Sequence, residues 1–351
     1  MDADAKLDLL LRDPVTEVVT REELKALLEG SGKPRHYIGF EISGMLHLGS
    51  GLMTKLVLER LQRAGVETTI FLADFHSQIN NKMGGDLDRI RAVAREYYIP
   101  AFREGLGLKE TKFVLASDLY DRDYWALVLR IARQTTLARG LRTLTVLGRS
   151  ESDLQSVAQL LYAPMQAADI FWLKADIAHA GIDQRKAHML AREAAPGLGF
   201  AKPVALHHAL LPGLLSMQRA GKSEEEMVEV KMSKSRPETC VFLHDPPETI
   251  RKKLAKAYCP AKEVEANPVL ELARRVVLPA AGALEVHRES KHGGDARFGS
   301  FAELRDAFAR GSLHPQDLKA GVAETLARLL EKPRKFIEAR PGLLEPFREE
   351  P

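Results

Sequence analysis

The spacing of apolar positions changes repeatedly along the chain, and each change predicts an element. Leucines at helical spacing predict a helix over 21–29. Tyr37-Ile38-Gly39-Phe40 is apolar and strand-like and predicts a strand over 35–41, and a pattern through Leu52, Leu56, Leu58 and Leu61 predicts a helix over 49–64. Further strands are expected at 67–73, near 112–116, at 176–180 and at Val204-Ala205-Leu206. Helices are expected at roughly 85–106, 121–138, 153–174 and 184–194. Strands alternating with helices point to an α/β fold with a Rossmann-type parallel sheet, whose ligand sits at the C-terminal ends of the strands where their order reverses. From about 247 the pattern is helical, over Pro247–Ala257, Pro268–Val277, Phe301–Arg310 and Pro315–Leu330. The expected organisation is a helical segment over 1–34, the sheet domain over 35–246 with a connective insertion at about 110–150, and an all-helical domain over 247–351.

Composition narrows the class. The chain has 351 residues, 45% hydrophobic and 28% charged, which suffices for two domains with cores of their own. No apolar run is long enough to cross a membrane. The N-terminus is polar and acidic and lacks a signal peptide's apolar core. Cys240 and Cys259 form no metal-ligand cluster with histidines, so no protein-bound metal is expected, and a reduced cytoplasmic setting suits them. The net charge of +3 does not mark a nucleic-acid binder. Of 51 Lys and Arg and 48 Asp and Glu, residues 251–351 hold 19 and 15, so the C-terminal part is the more basic.

Two segments carry candidate phosphate chemistry. Lys231-Met232-Ser233-Lys234-Ser235 follows an acidic, glycine-containing stretch. It reads either as a solvated loop or as a segment that brings two ammonium groups onto a polyphosphate. About 180 residues upstream, Gly39-Phe40-Glu41-Ile42-Ser43-Gly44-Met45-Leu46-His47-Leu48-Gly49-Ser50 reads as strand, tight turn and helix start. A phosphate there meets free backbone N–H groups and the positive end of a helix. His47 can donate to it, and Gly49 lets a nucleoside lie against the backbone. His47 is otherwise an ordinary surface residue of a turn. Tyr162, Gln166 and Asp169 are spaced i, i+4, i+7 and share a helix face. That face is either a binding surface or, with Gln155 and Gln159, the wet side of an amphipathic helix whose dry side is Val157, Leu161 and Ile170.

Together and in this order, the His47 and Lys231 segments resemble the signature pair of class I aminoacyl-tRNA synthetases. The lysine motif is a full match, whereas Ser50 stands where the first motif usually has a second histidine. Leu161-Tyr162-Ala163-Pro164-Met165-Gln166-Ala167-Ala168-Asp169 and Gly181-Ile182-Asp183-Gln184-Arg185-Lys186-Ala187-His188-Met189-Leu190-Ala191-Arg192-Glu193 look like tyrosyl-tRNA synthetases of the archaeal and eukaryotic type. The resemblance runs from about Tyr37 to about Leu330.

The resemblance implies attachment of L-tyrosine to its tRNA through a tyrosyl-adenylate, with ATP entering as its Mg²⁺ complex. Tyr37 and Asp169 would hold the substrate phenol, and Tyr162, Gln166 and Gln184 its amino group. Gly39, His47, Gly49, Ser50, Gly181, Asp183, Lys231, Met232, Ser233 and Lys234 would bind ATP, with His47, Lys231 and Lys234 catalytic. Arg185 and Lys186 would meet the acceptor end of tRNA, where Arg185 matches the residue that reads the first base pair. His292, His314 and Asp317 would read the anticodon, although His314-Pro315 also suits an ordinary helix start. Relatives are homodimers joined through the segment that corresponds to about 110–150. Leu137, Leu141, Leu144 and Val146 there would either form that interface or pack within their own domain. The rivals are a tryptophanyl-tRNA synthetase and a non-catalytic tRNA-binding relative.

Overall fold

A computed structural model describes residues 1–148, 154, 156–215, 231–232 and 236–347. Six strands form the main sheet: β1 (Val15–Val19), β2 (Arg35–Phe40), β3 (Glu67–Leu72), β4 (Lys112–Leu115), β5 (Ile177–Gly181) and β6 (Val204–His208). Their order is β1-β6-β5-β2-β3-β4. All neighbours are parallel except β1, which runs antiparallel to β6 at the edge. β5 and β6 are buried almost throughout, as expected for central strands covered on both faces. From β2 the chain winds to β3 and β4 on one side, then returns to β5 and β6 on the other. The order therefore reverses between β2 and β5, which share only the pairs His36↔Ile177 and Tyr37↔Ala178 before diverging. A crevice opens at their C-terminal ends.

The helices that flank the sheet are α1 (Ala3–Leu10), α2 (Arg21–Glu29), α3 (Thr54–Arg63), α4 (Asp74–Ile79), α5 (Leu87–Val93), α6 (Arg122–Gln134), α7 (Leu137–Arg142), α8 (Tyr162–Trp172) and α9 (Arg185–Leu198). Several depart from the pattern-based expectation for local reasons. The expected helix over 85–106 is α5 followed by two wide π-helical turns, Ala94–Tyr98 and Ala101–Gly105. Pro100 lies between them, and its missing N–H interrupts the regular hydrogen-bond ladder. The helix expected over 121–138 splits because Thr135 and Thr136 are extended, and the Thr136 side chain then caps α7. α8 starts at Tyr162 after a 3₁₀ turn, later than expected.

The segment before residue 35 is not only helical. It contributes β1, with α2 fixed behind it by a capping box between Thr20 and Glu23. The C-terminal part is helical apart from a short hairpin, β7 (Leu284–Val286) with β8 (Ala296–Phe298). It packs directly on the sheet region: one apolar cluster runs from Ile38, Leu72 and Phe102 to Leu272, Phe308 and Leu326. Gly105 abuts Phe336 so closely that a Cβ there would lie 3.3 Å from its ring. Of the four apolar residues considered for a subunit interface, Leu144 and Val146 are buried in a cluster with Tyr162 and Leu190, whereas Leu137 is 68% exposed. Among the described residues, no helix is long and apolar enough to cross a membrane.

Candidate active site

The turn after β2 enters the crevice first. Buried tyrosines hold it from below: Leu46 N donates to Tyr97 Oη at 2.9 Å, and Tyr98 Oη donates to Gly44 O at 2.7 Å. Gly44 has φ 129°, a conformation that favours glycine. His47 N donates to Ser50 Oγ at 3.1 Å, so the serine hydroxyl braces the turn. Gly49 N donates to His47 Nδ1 at 3.1 Å. A nitrogen that accepts carries no proton, so the neutral ring keeps its proton on Nε2, where it can serve as a donor to a phosphate oxygen.

The same turn is stitched to the chain beyond the lysine motif. Leu48 N donates to Val241 O at 3.0 Å, Leu243 N donates to Leu46 O at 3.1 Å, and His47 faces Phe242 in an antiparallel bridge. Gly51 permits this approach, because a Cβ there would lie 2.8 Å from the Leu243 side chain. The turn is thus joined by main-chain hydrogen bonds to the segment that follows the lysine motif. Lys231 donates to Asp183 Oδ2 at 2.9 Å, and Met232, buried, donates its N–H to Leu211 O at 2.7 Å. Asp183 folds back over the end of β5 only because residue 181 is glycine: a Cβ would lie 2.5 Å from Asp183 Oδ1. Ser233 and Lys234 lie outside the described residues.

The polar face of α8 points inward. Tyr162, Gln166 and Asp169 are buried, as is Gln159, whereas Val157, expected on the dry side, is 80% exposed. This rules out the solvated-face reading. Asp169, 1% exposed, accepts through Oδ1 from Tyr120 at 2.6 Å and from Tyr124 at 2.9 Å. Those two rings stack with centroids 3.6 Å apart. Asp169 Oδ2 has no hydrogen-bond partner. The nearest candidate, His76 Nε2, is 3.6 Å away, beyond hydrogen-bond reach. Burial holds His76 neutral, its pKa lowered to about 3. Burial also pushes Asp169 up to about 8, against the pull of the two phenols and with the charge of Asp74 adding to the rise. Tyr37 is buried beside it, its pKa raised by burial and by the Asp169 charge. Gly39 makes room for that ring, since a Cβ there would sit 2.7 Å from the Tyr37 hydroxyl.

One helical turn away, Gln166 Oε1 is also buried and unpartnered. Its amide donates to Gln184 Oε1 at 3.4 Å, and Gln184 in turn donates to Val146 O at 3.1 Å. Tyr162 Oη donates to Glu41 at 3.0 Å, and Asn80 donates to the same carboxylate oxygen at 2.8 Å. Two buried acceptors without partners, Asp169 Oδ2 and Gln166 Oε1, thus lie on adjacent turns of α8. The residues absent from the sequence-based set are Glu41, His76, Tyr120 and Tyr124. They come from three separate segments, and no motif marks them. The i, i+4 pair Tyr120/Tyr124 is the one faint cue.

The residues expected to meet RNA fall in two places. Arg185 and Lys186 open α9 beside the crevice; Arg185 Nε donates to both oxygens of Glu17 at 2.9 Å, and Lys186 donates to Thr145 at 3.1 Å. In the C-terminal part, exposed His314 accepts from Gln316 N at 3.2 Å and caps the helix that carries Asp317, so the helix-start reading holds. The turn Ser290–His292 is brought near it by Arg288, which donates to Gly294 O and to Ser312 O, each at 2.9 Å. Among the described residues, no group of three or more His, Cys, Asp or Glu could hold a metal ion.

Comparison with known proteins agrees with this geometry. The family described as "tRNA synthetases class I (W and Y)" matches residues 29–331. A tyrosine–tRNA ligase of Pyrobaculum calidifontis is 49% identical over 99% of this chain and 98% of its own. The crystal structure of a tyrosyl-tRNA synthetase complexed with L-tyrosine, from Pyrococcus horikoshii, matches with a TM-score of 0.94 and 44% identity, covering 100% of both chains. A tryptophanyl-tRNA synthetase from Aeropyrum pernix K1 shares the fold alone, with a TM-score of 0.68 and 23% identity over 92% of this chain and 83% of its own. The chain belongs to the class I tRNA synthetases for tryptophan and tyrosine and, within them, to the tyrosine–tRNA ligases.

Proposed function

We propose that this chain attaches L-tyrosine to its tRNA in two steps, and that the unpaired oxygen of Asp169 is what selects the amino acid. The observation that carries this reading is the pair of buried, unpartnered acceptors, Asp169 Oδ2 and Gln166 Oε1, one helical turn apart. A ligand with a phenol at one end and an ammonium at the other satisfies both. Tyr37 and Asp169 take the phenol. Gln166, Gln184 and Tyr162 take the ammonium, with Glu41 anchoring the Tyr162 hydroxyl. Phenylalanine would leave the buried acceptor unpaired, and tyrosyl-tRNA synthetases are themselves the standing example of this kind of rejection.

In the first step the tyrosine carboxylate attacks the α-phosphorus of ATP, and the bond to the bridging oxygen of pyrophosphate breaks. No side-chain nucleophile is needed, so catalysis is positioning and charge stabilisation. His47 Nε2–H, Lys231 and Lys234 face the leaving pyrophosphate. Gly39, Gly49, Ser50, Gly181, Asp183, Met232 and Ser233 line the nucleotide, and Mg²⁺ arrives bound to the ATP phosphates. In the second step a ribose hydroxyl of the terminal tRNA adenosine attacks the activated carbonyl, and AMP leaves. Arg185 and Lys186 hold the acceptor end, while His292, His314 and Asp317 read the anticodon. The protein works in the cytoplasm as a homodimer, joined through the α6–α7 face where Trp125, Leu129 and Leu137 are exposed.

Pyrophosphate exchange with Mg²⁺ and ATP, run across all twenty amino acids, tests the substrate. Tyrosine supports exchange in this reading; exchange with tryptophan and none with tyrosine overturns it. Sedimentation should give a mass near twice 39.0 kDa.

A further inference from the structure

Edge strand β1 places Glu17 opposite His207 of β6 in the antiparallel register. Its Oε2 lies 2.8 Å from His207 Nδ1, and His207 Nε2 lies 3.0 Å from His188 Nδ1 on α9. Both imidazoles are fully buried, with ring centroids 5.0 Å apart and planes 24° from parallel. A carboxylate only accepts, so His207 Nδ1–H donates to Glu17. His207 Nε2 must then accept, and His188 Nδ1–H donates to it. Burial lowers the pKa of both rings and keeps them neutral, which fixes this single direction along the chain. The two Glu17 oxygens also share the single Nε–H of Arg185, at 2.9 Å to each.

We propose that Glu17, backed by the buried His207–His188 pair, is a positioning residue that fixes the Arg185 guanidinium for reading the acceptor end of tRNA. The contact is made by Nε–H, and the two Nη groups, which can pair in a fork with a base or a phosphate, make no hydrogen bond to the carboxylate. A long arginine side chain half-exposed at a crevice mouth samples many rotamers. Glu17 would sample them too, were its carboxylate not pinned from behind by a donor inside the protein. With both ends fixed, the recognising fork is set before RNA arrives, and less freedom is lost on binding. The inference rests on the reading of Arg185 as the residue that meets the first base pair. A merely structural role, pinning β1 to the sheet, is the competing explanation.

The test compares charging of the native tRNA with charging of a tRNA whose first base pair is transposed, using pyrophosphate exchange, which needs no RNA, as the control for the fold. Glu17→Gln keeps the shape but removes the charge and one acceptor. The expected result is that the preference for the native pair shrinks roughly tenfold, by more than any change in exchange. In the Arg185→Ala background, Glu17→Gln should then change the preference no further. Equal losses in exchange and in charging of both tRNAs would assign Glu17 a structural role and overturn the proposal. If Arg185→Ala removes the preference while Glu17→Gln retains it in full, the positioning role alone is wrong. If Arg185→Ala itself leaves the preference intact, the underlying reading of Arg185 fails, and with it this inference.

Discussion

Two sets of buried polar side chains lie within the sheet domain, and they differ in what each leaves unpaired. Around Asp169, a carboxylate oxygen, an amide oxygen and both nitrogens of His76 lack partners. Along the central strands, His36, His179 and His208 join in a chain, with N···N distances of 3.1 and 2.8 Å, and His188 and His207 form a second chain ending on Glu17. There the loose ends are two ring nitrogens, His36 Nδ1 and His188 Nε2. Leaving a buried polar group unpaired costs free energy, more so when it carries charge. A fold that tolerates several such groups in one pocket while pairing nearly everything beside it holds a place for a ligand. The histidine chains, paired ring to ring and loose only at those two ends, are scaffold.

The comparison can be broken or sharpened by experiment. The largest effect should come from acid. The unfolded chain takes up protons on its histidines below about pH 6.5, whereas His36 and His76 are lowered to about 3, His208 to about 4, and His179, His188 and His207 are lowered as well. Their contribution to stability is complete above pH 6.5 and is lost as pH falls towards 4. Each such group adds a slope of about 1.4 kcal/mol per pH unit in that window. Asp169, with its raised pKa, works in the opposite sense but is a single group. The unfolding midpoint should therefore fall steeply between pH 6.5 and 4; a flat profile would mean that the histidines are not buried neutral.

Next in size, His179→Ala removes two ring hydrogen bonds and opens a cavity, and should cost about 3 kcal/mol of stability while leaving pyrophosphate exchange per folded molecule unchanged. Asp169→Ala should do the reverse. It should lower kcat/KM for tyrosine by about 1.5–3 kcal/mol, with little change for ATP and no loss of thermal stability. Loss of stability without loss of tyrosine recognition would place Asp169 with the scaffold instead. The smallest effect is expected from Tyr120→Phe, which keeps the stack on Tyr124 but removes a donor to Asp169. Tyrosine kcat/KM should fall by about 0.5–1.5 kcal/mol. Because that phenol lowers the Asp169 pKa, the inflection assigned to Asp169 in the pH profile should move upward in the variant.

The same contrast explains what could be read from the sequence. β2, β3, β5 and β6 are legible because parallel strands covered on both faces read as apolar runs between turn residues, and the edge strand β4 is legible because Phe113, Val114 and Leu115 form such a run too. β1 is not, since Val15-Thr16-Glu17-Val18-Val19 carries a threonine and a central glutamate whose partners come from elsewhere in the chain. The three-residue strands of the β7–β8 hairpin are too short to leave a pattern. α8 is the instructive case: its hydrophobic periodicity suggests a wet face where the structure has a buried one, because a pocket inverts the usual rule that polar residues face water. Spacing puts Tyr162, Gln166 and Asp169 on one face, and the resemblance to the family adds Tyr37, His47 and Gln184. The residues that hold those groups in place, Glu41, Tyr120 and Tyr124, become visible only when the chain is folded.

The main-chain stitch between residues 46–48 and 241–243 has a consequence for how the two motifs can drift. Every residue except proline supplies an N–H, and every residue supplies a C=O, so most substitutions in either segment leave the bonds Leu48 N–Val241 O and Leu243 N–Leu46 O intact. Length is another matter. Deleting a single residue between Arg236 and Cys240 would carry Leu243 into the place of Phe242 opposite His47, and His244 into the place of Leu243 against Gly51. The placing of the lysine motif relative to the His47 turn is thus written in the count of residues between that motif and the stitch more than in their identity, and this segment should tolerate changes of letter far better than changes of length.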